Sequence, residues 1–228
     1  MNKHRVAVSW SGGKDCCLAL ERLIKNNDEV VCLISMVSKK DERNHAHGTP
    51  LASLQMQADA LGIPLVMVDS AGKYEESMIA GLKLIKEQFN LTKIAFGTLY
   101  VEEDRQWNEY VALQAGLQPL FPMWIDKKAS SNLLDEWLAS GYDAIICRAL
   151  ENIFDSSIVG KSLNKDLKEI FFSKEICLMG EGGEYHTFVV DGPLFKERLE
   201  IVDADTILNS GLWSLNIKKV QTAKKRLL

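Results

Sequence analysis

The sequence predicts an α/β protein in which a doubly wound, five-stranded parallel sheet is followed by a smaller C-terminal α+β domain. Three observations predict it. Short β-branched runs alternate with helically spaced apolar residues over the first 124 positions, helices close on glycine at Gly62 and Gly116, and the rhythm changes after Trp124. Such alternation implies right-handed crossovers and a parallel sheet covered on both faces, with ligands bound at the carboxyl ends of its strands.

Val6-Ala-Val-Ser9 reads as the first strand, and the glycine pair Gly12-Gly13 turns it into a helix with Cys16, Ala19, Leu20, Leu23 and Ile24 at helical spacing. A strand over Val30–Val37 and a helix over Leu51–Leu61 follow. Next come a strand at Leu65–Val68 and a helix with Met78, Leu82, Ile85 and Phe89 on one face. The pattern continues with a strand at Ile94–Phe96, a helix over Glu103–Ala115, and a fifth strand over Pro119–Trp124 whose prolines suit an edge. Beyond it lie a helix from Ser131 to Ala139, a strand at Ala144–Cys147, and an irregular stretch from Leu150 to Asn164. Strand-like segments at Thr187–Val190, Leu199–Val202 and Trp213–Val220 complete the chain. Two domains are therefore expected, residues 1–126 binding a ligand and residues 127–228 serving a substrate or acceptor.

With 228 residues, 46% of them hydrophobic, the chain can bury an ordinary core. Its apolar runs fall short of the roughly 20 residues of a membrane span, and the N-terminus passes into a strand pattern without an apolar signal region. A cytoplasmic protein without a membrane partner is expected. The five cysteines include no C-x-x-C pair, so reduced, mostly buried thiols are expected in place of disulfides or a zinc site. A net charge of -4 gives no general drive toward nucleic acid. The one basic cluster, Lys218, Lys219, Lys224, Lys225 and Arg226, reads as a solvated tail.

Ser9-Trp-Ser-Gly-Gly-Lys-Asp-Cys16 has the parts of an anion site: glycines that let backbone amides approach, a helix N-terminus, and a lysine. It fails the Walker pattern, because Val8 stands where the first glycine belongs and Asp15 follows the lysine. It resembles instead the PP-loop of the ATP pyrophosphatases, with Cys16 where that group usually has serine. The resemblance implies a Rossmann-like, adenine nucleotide alpha hydrolase-like fold that splits ATP between its alpha and beta phosphates. Ser9, Ser11, Gly12, Gly13, Lys14 and Cys16 would cradle the phosphates, and Asp15 would cap the helix or hold Mg2+. Ser35, Met36 and Val37, at the end of the second strand, would lie near adenine.

A second constellation, Met179-Gly-Glu-Gly-Gly-Glu-Tyr-His-Thr-Phe188, packs two carboxylates, a histidine and three glycines into ten residues. With Asp191-Gly-Pro-Leu-Phe195 it resembles the signature of the diphthine-ammonia ligase family, a PP-loop branch. The resemblance extends to His47-Gly48, Gln57–Pro64, Phe96-Gly97-Thr98 with Asp104-Arg105, and Gly160-Lys161, covering residues 5 to 200. It implies amidation: a carboxylate attacks the alpha phosphate, pyrophosphate leaves, and ammonia displaces AMP. Lys14 and backbone amides would stabilise the phosphates, Gly97 would border the nucleotide, and Glu181 and Glu184 would position ammonia or take its proton, with His186 the other candidate base. The bland alternative has both glutamates shaping their loop or pairing with Arg105 or Arg148. Arg105 follows the fourth strand and is the candidate for phosphate or acceptor. His47 is as good a loop hydrogen-bonder as a ligand. The acceptor is protein-bound diphthine or, in a bacterium, another carboxylate, and a homodimer is compatible. Competing readings are a PP-loop enzyme modifying tRNA or a metabolite, which the acidic balance disfavours, and a non-catalytic ATP sensor, which Lys14 and the glutamate pair disfavour.

Overall fold

A computed structural model describes residues 4–225. Arg226 of the basic cluster lies outside the described residues. The chain divides into two compact units: Met1–Ser11 with Asp15–Ala46 and Ile63–Ile125, and Gly12–Lys14 with His47–Gly62 and Asp126–Leu228.

The first unit carries β1 (Arg5–Ser9), β2 (Glu29–Ser38), β3 (Arg43–Asn44), β4 (Leu65–Asp69), β5 (Lys93–Ala95) and β6 (Gln118–Leu120). Five of these run parallel in the order β4-β2-β1-β5-β6, and β3 adds a short antiparallel hairpin at the end of β2. Val6, Ala7 and Val8 of β1 are fully buried, as expected of a central parallel strand covered on both faces. The winding reverses beside β1, so the loop after Ser9 opens at the topological switch point, where open α/β sheets take their ligands.

Three helices belong mainly to this unit: α1 (Lys14–Lys25), α3 (Tyr74–Phe89) and α4 (Glu102–Gln114). Met78, Leu82 and Ile85 of α3 and Val111 and Ala112 of α4 pack with Ile34, Ile94 and Phe96 in one buried cluster. The fifth strand is shorter than its apolar run suggests. It ends at Leu120, where Phe121–Trp124 turns back with Trp124 N–H on the Phe121 carbonyl at 3.1 Å, and Pro122 offers no amide to extend a ladder.

The second unit holds α2 (Leu51–Leu61), α5 (Ser130–Ala139), β7 (Asp143–Leu150), α6 (Lys165–Ser173), β8 (Tyr185–Asp191), β9 (Arg198–Asn209) and β10 (Leu212–Ala223). Its strands form an antiparallel sheet in the order β8-β7-β10-β9. Although α2 connects two strands of the parallel sheet, it groups with this unit, where Lys196 N–H reaches the Ala60 carbonyl at 2.7 Å. Ser210 and Gly211 both have positive φ, the two-residue turn that matches the twist of the β9–β10 hairpin. Lys218 and Lys219 therefore belong to a strand, and Lys218 pairs with Asp205 across the hairpin, so the reading of these lysines as a solvated tail is corrected. No described helix is long and apolar enough to cross a membrane.

Candidate active site

β1 ends at Ser9, Trp10 N–H extends its alignment to the Ile34 carbonyl at 2.7 Å, and α1 begins at Lys14. Gly12 has φ +83°, and a Cβ there would lie 2.7 Å from Gln57 Oε1; a Cβ on Gly13 would strike the His47 ring. Gly12 is thus demanded by close approach and by its left-handed backbone, and Gly13 by close approach alone. The Gly12 carbonyl is turned into the protein, accepting from Val189 N–H at 2.9 Å and from Gln57 Nε2 at 3.0 Å. Gln57 Nε2 also donates to the Val189 carbonyl at 2.6 Å. Lys14 N–H donates to Thr187 Oγ1 at 3.0 Å, so a residue of β8 satisfies one of the open amides at the start of α1.

Within the first unit, Ser11 Oγ lies 3.5 Å from Cys16 Sγ, and the Ser11 carbonyl accepts from Asn44 Nδ2 at 3.0 Å. The passage after β5 runs so close to α1 that a Cβ on Gly97 would lie 3.0 Å from Cys16 N. Met36 is buried in the core, its carbonyl accepting from His45 N–H at 3.2 Å. Beside it the Ser35 hydroxyl is buried and has no hydrogen-bond partner among the described residues. Arg105, in the first turn of α4, bridges to Glu109 at 2.9 Å and stacks its guanidinium over Trp124, 4.6 Å from the ring centroid. Asp15 sits in the first turn of α1. No three His, Cys, Asp or Glu side chains gather as metal ligands among the described residues. A lone hard carboxylate fits Mg2+ brought in on phosphates, which completes its shell with substrate oxygens and water.

The second unit surrounds Lys14 with unexpected company. Lys14 is 3% exposed, and its ammonium lies 5.1 Å from the centre of the Tyr185 ring. His47 Nδ1 is 2.8 Å from the Thr187 carbonyl, which can only accept, so Nδ1 carries the proton. The His47 ring packs against His186 at 4.8 Å, and His186 faces Arg148 across the β7–β8 ladder. Gly48, at φ +65°, leaves the space that the Arg148 guanidinium fills. Burial, then His186 and the cations Lys14 and Arg148, hold His47 well below its usual range, while its hydrogen bond to the Thr187 carbonyl opposes them. Burial and the same cations push His186 down to about 4.

Glu184 Oε1 accepts from Cys177 N–H at 3.1 Å, while Oε2 is buried without a partner among the described residues. Glu181 lies in the tight turn closed by Gly183 N–H on the Gly180 carbonyl at 3.0 Å. Burial pushes Cys32 and Cys147 up to about 12, which leaves them as inert thiols. A cavity of about 560 Å3 in this unit is lined by Asp143, Ile145, Asp191, Leu199, Glu200 and Leu215 among others, none of them a predicted site residue. The sequence reading singled out the loop and the glutamates. It missed Thr187 and Gln57 as tethers and Arg148 as the residue facing His186, although Thr187 stands in the second motif.

The diphthamide synthase N-terminal domain family matches residues 4–119, and the diphthamide synthase C-terminal domain family matches residues 129–223. The diphthine–ammonia ligase of Rattus norvegicus is 28% identical over 90% of this chain and 86% of its own length. That of Danio rerio is 29% identical over 90% and 89%, and that of Homo sapiens 27% over 90% and 86%. Among solved structures, a predicted subunit of tRNA methyltransferase from Methanocaldococcus jannaschii covers 80% of this chain and 95% of its own. Its TM-score is 0.36 at 15% identity.

Proposed function

The chain belongs to the diphthamide synthase family, and from that premise we propose that it is an ATP-dependent ligase that joins ammonia to a carboxylate, releasing AMP and pyrophosphate. The observation that carries the reading is the phosphate loop itself: two glycines held by neighbouring side chains, opening at the switch point of a parallel sheet onto the start of α1. An acceptor carboxylate oxygen attacks the alpha phosphorus of ATP, the bond from that phosphorus to the bridging oxygen breaks, and pyrophosphate leaves with the electron pair. Ammonia then attacks the acyl carbon, the carbon–oxygen bond to AMP breaks, and the nitrogen gives up a proton as the amide forms.

In this reading Lys14 meets the charge that grows on the leaving pyrophosphate. Ser9, Ser11, Gly12, Gly13 and Cys16 border the phosphates, Gly97 lets the first turn of α1 approach them, and Ser35 and Met36 flank the base. Asp15 would hold the Mg2+ that ATP carries, which supplies charge neutralisation at the phosphates. Glu184, with one carboxylate oxygen tethered to Cys177 N–H and the other without a partner, is assigned the proton of the attacking nitrogen, and Glu181 is assigned to position that nitrogen. Arg105, displayed on aromatic rings after β5, is assigned to the acceptor. The names of the relatives point to protein-bound diphthine as that acceptor. We assign the reaction to the cytoplasm, where ATP and ammonium are both at hand.

The test is product identity. Incubation with ATP, Mg2+, ammonium and candidate acceptors is expected to yield AMP and pyrophosphate by chromatography. Lys14→Ala should lower that yield at least a hundredfold, the scale of losing a preorganised charge on a leaving group. ADP and phosphate as products would overturn the reading.

A further inference from the structure

Beside the loop, the antiparallel unit places a second permanent cation that the phosphate loop alone does not require. The β7–β8 ladder slips between Ile146 and Arg148. The slip takes Arg148 out of the fully buried row begun by Ala144 and Ile146 and sets it opposite His186. The guanidinium lies over Gly48, a position where any side chain would collide with it. His47 packs on His186 and hydrogen-bonds the Thr187 carbonyl, while Thr187 Oγ1 accepts from Lys14 N–H. One connected set of contacts therefore runs from the first residue of α1 to the strand pair that carries Arg148. Its four basic side chains, Lys14, Arg148, His47 and His186, come from three separate chain segments of one unit.

We infer that Arg148 is a second anion-binding arm of this site, contacting the beta and gamma phosphates of ATP and retaining pyrophosphate after cleavage. The inference rests on the ligase reading above. A guanidinium presents paired N–H donors that match phosphate oxygens, a geometry that the point charge of Lys14 does not supply. The histidines between the two cations act as its built-in reporter. Lys14 and Arg148 both disfavour protonation of His47 and of His186. An anion that neutralises those cations will let an imidazole take up a proton.

Calorimetry of the whole protein with inorganic pyrophosphate and, separately, with AMP tests the arm. Arg148→Gln is expected to weaken pyrophosphate about tenfold, the scale of one charge-assisted contact, and to leave AMP within about twofold. In the wild type, the His186 ring resonance should titrate from about 4 upward when pyrophosphate is added, and at saturating pyrophosphate this rise should be smaller in Arg148→Gln, where only Lys14 is left to be neutralised. If Arg148→Gln does not fold, Arg148→Lys carries the same test, with a several-fold loss expected because the fork is gone. Pyrophosphate affinity unchanged in the variant but lost in Lys14→Ala overturns the arm and leaves the phosphate loop standing. A wild type that neither binds pyrophosphate nor forms AMP overturns the ligase reading and the arm with it.

Discussion

Lys14 and the histidines beside it show what single residues reveal and what they hide. The loop was legible because its chemistry is local: glycines, lysine and helix start fall within eight positions. Its supports were not, because Thr187 and Lys14 are 173 positions apart and Gln57 and Gly12 are 45 apart. No spacing rule connects such residues; only the folded chain does. The depressed histidines also set a pH dependence of stability. His186 titrates near 4 folded and near 6.5 unfolded, so between those values the unfolded chain binds more protons. Stability is therefore full above about pH 6.5 and falls as the pH drops toward 4, by on the order of 2 kcal/mol from this residue between pH 7 and pH 5. Urea midpoints at the two pH values measure it, and His186→Gln should lose clearly less stability on acidification than the wild type. Equal losses in both proteins would show that His186 does not carry the effect.

At the scale of elements, the parallel sheet was read nearly in full, because buried strands and amphipathic helices carry strong periodic signals. Two features escaped. The two-residue β3 is too short for a period, and it exists because Val37 and Ser38 have free ladder positions for Arg43 and Asn44 beyond the end of β1. α6 spans nine residues and buries only Leu167 and Phe171, so its apolar stripe is two residues wide. Its start was nevertheless written in the sequence, since Asn164 Oδ1 accepts from Leu167 N–H at 3.0 Å and satisfies one open amide. The Lys168–Asp135 bridge at 2.5 Å is partly solvent-exposed and adds little. Asn164→Ala should then cost about 1 kcal/mol in chemical denaturation, and Asn164→Asp should restore most of it. An alanine variant as stable as the wild type would mean that the helix is held by Leu167 and Phe171 alone.

For the whole molecule, the question that composition and fold answer together is where the nitrogen comes from. Amide synthesis from glutamine requires a cysteine or equivalent nucleophile activated to a thiolate. All five cysteines are free, four of them are buried, and Cys32 and Cys147 are pushed up to about 12, so neither forms a thiolate at neutral pH. Burial of Cys16 and Cys17 removes them from a bulky amide substrate as well. We predict that free ammonia is the nucleophile; most of it is ammonium at neutral pH. Two results are expected with a working acceptor. Isotopically labelled ammonium should enter the product amide, while amide-labelled glutamine should not, as read by mass spectrometry. At fixed total ammonium, amide formation should also rise from pH 7 to pH 8 nearly in proportion to free ammonia, while pyrophosphate exchange into ATP, which involves no nitrogen, should stay level. Label transfer from glutamine would require a nucleophile that none of these buried thiols provides, and would place the nitrogen source in a residue outside the site described.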